Sequence, residues 1–193
     1  MVVKDLCIHS HQGIYGGEYR LLGSKEYQIL KIEDFTKKLW ITGHLQIASE
    51  DKNIAPTFIE NKIAVCDVPF FCLYNQKVTM EQFKFLCSVK LEAISLWSSV
   101  ITNSNGHICP LENILYNVPK IRYVKYCYND ETVSTVTPES TKNIVQFIKN
   151  SNLESVNLNQ LPETCDVDAF FKLIYARFNN FRIFYCISVS GKT

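Results

Sequence analysis

The feature that most constrains this chain is a six-residue segment, apolar-x-x-apolar-x-apolar, which returns five times and alternates with helical patterns. The instances are Val68-Phe71-Leu73, Leu91-Ile94-Leu96, Ile121-Val124-Tyr126, Leu153-Val156-Leu158 and Phe181-Phe184-Cys186, starting between 23 and 32 residues apart. The last two apolar positions of each are two apart, the period of a strand with one buried face. One match in an apolar-rich chain would carry no weight. Five at comparable spacing do.

Each gap between these segments carries a helix signal. Thr79-Met80-Glu81-Gln82 is a capping box, with Phe83, Leu86 and Cys87 as the inward stripe behind it. Pro110 suits a first helical position, and Leu111, Ile114, Leu115 and Val118 follow at helical spacing. Thr137-Pro138-Glu139 supplies a cap, a proline and an acid at the positive end of the helix dipole, ahead of Thr141, Ile144, Phe147 and Ile148. Asp166 caps the last stripe, made of Val167, Phe170, Phe171, Ile174 and Phe178.

A strand-plus-helix unit cannot bury its apolar face alone, whereas stacked units share one core. Crossover helices also force successive strands to be parallel. The expected fold is therefore α/β: a short leucine-rich-repeat-like solenoid of about five units over residues 61–193, with a parallel sheet and helices on one side. The competing reading is a doubly wound α/β domain, whose central strands are usually unalternating and apolar. Here Ser95, Lys125, Ser155 and Asn157 interrupt the apolar positions, which points to one solvated sheet face. Residues 1–60 do not follow the pattern. Gly13 to Gly17 reads as a loop, Leu39 to Ile47 as a strand and Asp51 to Pro56 as a turn, so this region is expected to be an N-terminal cap over the first core layer.

Charge narrows the partners. Twenty basic and 19 acidic residues give a net +1, without the clustered Lys and Arg that nucleic acid or an anionic membrane would require. No stretch of 18 apolar residues exists to span a bilayer. Eight cysteines accompany a core-forming composition, 47% apolar, with no apolar leader behind Met1 and no Asn-x-Ser/Thr acceptor. The expectation is reduced thiols filling core space, in the cytoplasm or nucleus.

Catalytic signatures are absent. The chain contains no phosphate loop, dinucleotide fingerprint, His-Glu-x-x-His or Gly-x-Ser-x-Gly motif. The closest cysteines, Cys66 and Cys72, are too far apart for a usual zinc pair, and Asp166-Val167-Asp168 sits where helix capping explains it. No cofactor or metal is expected. What remains is surface: Cys72 and Tyr74, Ser95 and Trp97, Tyr123 and Lys125, Ser155 and Asn157, and Tyr185 should line the open sheet face. That row is rich in aromatics and poor in charge, as protein-binding surfaces are. Tyr74, Trp97, Tyr123, Lys125, Asn157 and Tyr185 are the candidate contacts, with Trp97 as the anchor. The alternatives are a small intracellular α/β enzyme using a Cys nucleophile brought to a His by folding, or a decayed paralogue without a partner.

Several stretches resemble a known family. Lys38-Leu39-Trp40-Ile41-Thr42, Cys66-Asp67 through Leu73-Tyr74-Asn75-Gln76, and Glu81 to Leu86 are similar to the C-terminal repeat region of the large roundworm family of F-box-type proteins. So are Asn105-Gly106 leading to Leu111-Glu112-Asn113-Ile114-Leu115, Pro119-Lys120-Ile121, and Asp166 to Ile174. The similarity runs from Lys38 to Tyr185, about three quarters of the chain. It implies a non-catalytic substrate adaptor for ubiquitin ligation. In that family an N-terminal F-box grips a Skp-type linker of a cullin ligase while the repeats present the target. Residues 1–37, with four glycines and no long helical stripe, do not read as an F-box, so that recruitment is expected only if one lies upstream. A regular Asn after each strand is also lacking, with Asn129 alone placed for it.

Overall fold

The computed structural model describes residues 1–11, 14–21, 23–31, 35–163 and 182–187, together with Cys165, Asp168, Phe170 and Lys172; for residues 10, 11, 14–17, 20, 29–31 and 182–187 it describes the backbone alone. The fold is mixed α/β, built on a mostly parallel sheet. Three N-terminal strands, β1 (Val2–His11), β2 (Ile14–Leu21) and β3 (Gln28–Lys31), form an antiparallel meander. Beyond β1 the sheet is parallel. β5 (His44–Ala48), β7 (Phe70–Tyr74), β9 (Ala93–Trp97), β11 (Tyr123–Cys127), β12 (Ser155–Leu161) and β13 (Arg182–Ile187) join it one after another, in chain order. β4 (Leu39–Ile41) also pairs with β1 and with β6 (Ile63–Cys66), while β8 (Lys77–Thr79) and β10 (Val100–Thr102) make a separate parallel pair.

Four α-helices are described: α1 (Ile54–Lys62), α2 (Met80–Leu86), α3 (Leu111–Tyr116) and α4 (Pro138–Asn150). α2 begins with the anticipated capping box: Gln82 N–H donates to Thr79 Oγ1, and Thr79 N–H donates to Gln82 Oε1. α4 begins with another, in which Thr137 and Ser140 serve each other's backbone amides. Pro110 stands as the N-cap of α3, one position before the first helical residue where it was expected. α1 was not anticipated. Asn53, at its N-cap, makes no side-chain cap bond, so the usual start signal is missing.

The repeat positions are the core. Val68, Phe71 and Leu73, Leu91, Ile94 and Leu96, Ile121, Val124 and Tyr126, and Leu153, Val156 and Leu158 are all buried. They belong to one cluster with Phe83 of α2, Ile114 of α3 and Ile144 of α4. The first 60 residues contribute in the same way: Val3, Leu6 and Ile8 of β1 repeat the spacing, and Leu45 and Ile47 of β5 occupy its last two places after Thr42. The helix expected over 166–178 lies outside the described residues, apart from Asp168, Phe170 and Lys172.

Successive layers are tied at the strand exits. Tyr74, Trp97, Cys127 and Asn159 are in register, and the residues after three of them, Asn75, Ser98 and Gln160, have φ of 53°, 48° and 56°. A left-handed residue thus recurs at one place after three of these four strands, and none of the three is a glycine. Asn75 Nδ2 donates to the Ser49 and Glu50 carbonyls of the layer before, and Asn129 Nδ2 to that of Ser98.

One core group stands out. Glu112 on α3 is 7% exposed, and its Oε2 has no hydrogen-bond partner. Burial pushes its carboxyl above the ordinary range, opposed only in part by a hydrogen bond from its own backbone. The folded state therefore holds the proton more tightly than the unfolded chain. Stability associated with Glu112 is full at low pH and is lost as pH rises through the folded value. A Glu112→Gln variant, neutral at every pH, should melt a few degrees above the parent at pH 7 and converge with it near pH 4. Equal melting at both pH values would show that Glu112 ionises freely.

Candidate functional site

Because side chains alternate along a strand, the residues between the buried ones share the opposite face. The register sorts them into three rows. One holds His44, Phe70, Ala93, Tyr123 and Ser155; the middle row holds Cys7, Gln46, Cys72, Ser95, Lys125 and Asn157; the third holds His9, Ala48, Tyr74, Trp97, Cys127 and Asn159. Five of the six candidate contacts stand on this face. Tyr74 is 51% exposed and Tyr123 39%, whereas Trp97, Lys125 and Asn157 are partly exposed. The Lys125 ammonium lies over the Trp97 ring, 4.5 Å from its centroid, an attraction of ring quadrupole for cation.

Tyr185 is placed differently. The register pairs it with Leu158, in line with Tyr126, Leu96 and Leu73 of the buried row, and puts Phe184 opposite Asn157. The spacing Phe181-Phe184-Cys186 had assigned the opposite parity. Ile183 to Ile187 is apolar at every position, so no alternation exists there to fix which face is which. Ser95, expected on the solvated face, is on that face but only 7% exposed.

Polar contacts organise the rim at both strand ends. Arg122 pairs with Glu154 and approaches Glu92, and the Tyr123 hydroxyl donates to Glu154, which holds that carboxyl below its usual range. At the other end Lys52 donates to Glu131 at 2.9 Å. These pairs are solvated and add little stability, but Glu154 fixes where the Tyr123 hydroxyl points.

A Cys–His contact exists on the same face. Cys7 Sγ lies 3.2 Å from His9 Nε2, the two side chains projecting side by side from β1. Partial burial, followed by the charge of Glu18, pushes the Cys7 thiol up to about 11. It is therefore a protonated thiol at neutral pH, the reverse of an activated nucleophile. Two concavities, about 520 Å³ along α1 and about 270 Å³ beside Tyr128 and Asn129, have neither a cysteine nor a histidine in their described linings. The seven cysteines whose side chains are described are free thiols, and no described cluster of three His, Cys, Asp or Glu residues could hold a metal ion. No described helix is long and apolar enough to cross a membrane.

The sequence reading missed Gln76, Asn75 and Glu18. Asn75 and Gln76 directly follow Tyr74, where a polar pair ending an apolar strand is the only signal. Glu18 becomes visible as part of the face once β2 is paired with β1. Comparison with protein-family models, with curated proteins and with solved structures returned no match.

Proposed function

We propose that this chain is a short leucine-rich-repeat-like solenoid whose uncovered sheet face holds another protein without catalysing a reaction. The observation that carries the reading is the pairing order. Seven strands from β1 to β13 lie side by side in the order in which the chain makes them. Neighbouring strands share two buried rows, and aromatic and polar side chains stand on the reverse. A doubly wound sheet reverses its order between parallel strands at a switch point, whereas the one reversal here, at β1, leads only to the antiparallel β2 and β3. On this reading β1 and β5 add layers ahead of the five seen in the sequence, and the antiparallel β2 and β3 close the end of the stack.

The face has the composition of an interface centre, with Tyr74, Trp97 and Tyr123 around one lysine. The resemblance to F-box-type repeat regions supports a substrate-adaptor role in the cytoplasm or nucleus, with Skp-type and cullin proteins as associates if an F-box lies upstream. The Cys7–His9 contact is the one observation favouring a thiol enzyme. Its raised thiol and the two cysteine-free concavities weigh against that alternative.

The test is quantitative capture on immobilised protein, comparing the parent with a Trp97→Ala, Tyr74→Ala, Tyr123→Ala triple variant of unchanged circular dichroism. Partners held through this face should fall by at least about tenfold, since interface centres lose 2 kcal/mol or more on truncation of such residues. Partners retained equally by both proteins would place binding elsewhere.

A further inference from the structure

We infer that Asn105 is a site of spontaneous covalent modification, where the side-chain amide leaves as ammonia and the residue becomes a mixture of aspartate and isoaspartate. The inference is independent of the binding-face reading and concerns the hairpin that follows β10.

Asn105-Gly106 is the one Asn-Gly pair in the chain. It lies at a hairpin tip, where Thr102 bridges Ile108 antiparallel and Ser104, Asn105, Gly106 and His107 are all exposed. Gly106 has a φ of 78°, in the left-handed region that glycine enters freely. A Cβ placed on it would meet nothing within 4 Å, so the space beside this peptide bond is open. The Asn105 carboxamide has no hydrogen-bond partner among the described residues. Asn103, followed by the small Ser104, is the next candidate on the loop. Its carboxamide is engaged: Oδ1 accepts from Asn105 N–H at 2.9 Å and from His107 N–H at 3.0 Å.

The chemistry needs only water. With no side chain on residue 106 to crowd it, the Gly106 nitrogen gives up its proton to solvent and attacks Asn105 Cγ. The N–Cγ bond forms as Cγ–Nδ2 breaks, and Nδ2 takes a proton from solvent and departs as ammonia. Water then opens the cyclic imide at either carbonyl. Breaking the new N–Cγ bond leaves aspartate on the original main chain. Breaking the original peptide bond leaves isoaspartate, whose main chain runs through Cγ and is longer by one methylene.

The turn opposes this reaction. Gly106 N–H donates to the Asn103 carbonyl at 3.0 Å, and Asn103 N–H donates to that of His107 at 2.9 Å. Together with the two bonds to Asn103 Oδ1, these hold the reacting segment shut. Reaction therefore proceeds from the fraction of molecules whose loop tip is open, and the Asn103 side chain sets that fraction. Each conversion adds a carboxylate, taking the balance to 20 basic and 20 acidic residues and the net charge from +1 to 0.

The full chain, incubated folded at neutral and at mildly alkaline pH, supplies the test. Peptide mapping by mass spectrometry locates each new acid, and methylation by an isoaspartyl methyltransferase in vitro counts isoaspartate. Conversion should appear first at Asn105, yield both products and run faster at the higher pH. Asn105→Gln should abolish it at this position. Gly106→Ala, which sets a methyl beside the attacking nitrogen, should slow it by about tenfold, a modest rise in the barrier. Asn103→Ala should quicken it by about fivefold, the effect of losing one net loop hydrogen bond. Asn105 left intact while another asparagine converts, or no conversion anywhere, would overturn the site. Aspartate without isoaspartate, or an unchanged rate in Gly106→Ala, would overturn the cyclic route. An unchanged rate in Asn103→Ala would remove the clamp.

Discussion

Phe71→Ala is expected to destabilise the fold by about 3–5 kcal/mol, the largest loss for any single substitution proposed for this chain. Phe71 is fully buried on β7, between β5 and β9. Its ring meets that of Phe83 on α2 edge to face, with centroids 5.8 Å apart and planes at 73°. Truncation removes the transfer energy of the ring and leaves a hole that two fixed strands and a capped helix are poorly able to fill. It also removes an aromatic contact worth about 0.5–1.5 kcal/mol beyond area. Urea denaturation gives the first quantity. A double-mutant cycle with Phe83→Ala gives the second. A loss below about 1.5 kcal/mol would mean that the layer collapses around the gap and that the sheet-to-helix packing is loose.

The second large effect concerns a polar group. Gln76 is 1% exposed, and its side-chain amide sits where three successive layers turn out of the sheet. Its Oε1 accepts from Ala55 N–H of α1 at 2.8 Å, and its Nε2 reaches the carbonyls of Ser49, Asp51, Tyr74 and Asn75 at 3.0–3.3 Å. Two N–H groups serve four acceptors, so these bonds are shared. The Gln76 backbone N–H donates to Ser99 Oγ, and that hydroxyl donates within reach of the Leu73 and Trp97 carbonyls. Gln76→Leu keeps the bulk and deletes the amide, leaving the Ala55 N–H without its side-chain acceptor and taking a donor from the Tyr74 and Asn75 carbonyls, while those of Ser49 and Asp51 keep other partners. The expected cost is about 3 kcal/mol, seen as a melting temperature lower by roughly 6–12 °C. Leu91→Met, a volume-conserving change in the same core, should cost far less. If the two variants melt together, the amide network contributes nothing beyond packing.

The parts of the fold legible in the sequence were those with unbroken alternation. Between Val68 and Leu158 every apolar position of the repeat is buried, and the Thr79 and Thr137 caps start their helices where written. The signal failed for three physical reasons. Thr42 takes an apolar place ahead of β5, and its hydroxyl and amide both donate to the Val3 carbonyl, so a polar residue stands where the pattern asks for an aliphatic one. α1 takes its first-turn hydrogen bond from Gln76, more than twenty residues away, which no local cap motif encodes. The run from Ile183 to Ile187 has no polar residue to mark parity, and the register of β12 against β13 slips between Asn159 and Leu161, at the left-handed Gln160. The candidate face was legible to the extent that it depends on alternation, hence Tyr74, Trp97, Tyr123, Lys125 and Asn157. Glu18 was not, because it joins that face through a strand that the sequence presents as a glycine-rich loop.

The order in which the strands pair also bears on how such a gene can change. From β1 onward each strand of the parallel path hydrogen-bonds to the members of that path next to it in chain order. If the proposed repeat reading holds, tandem duplication or excision of one strand-and-helix block would lengthen or shorten the molecule without rethreading what remains. Descent by such copying would alter the reach of the surface in steps of one strand spacing, about 4.8 Å, while point substitutions altered its chemistry independently.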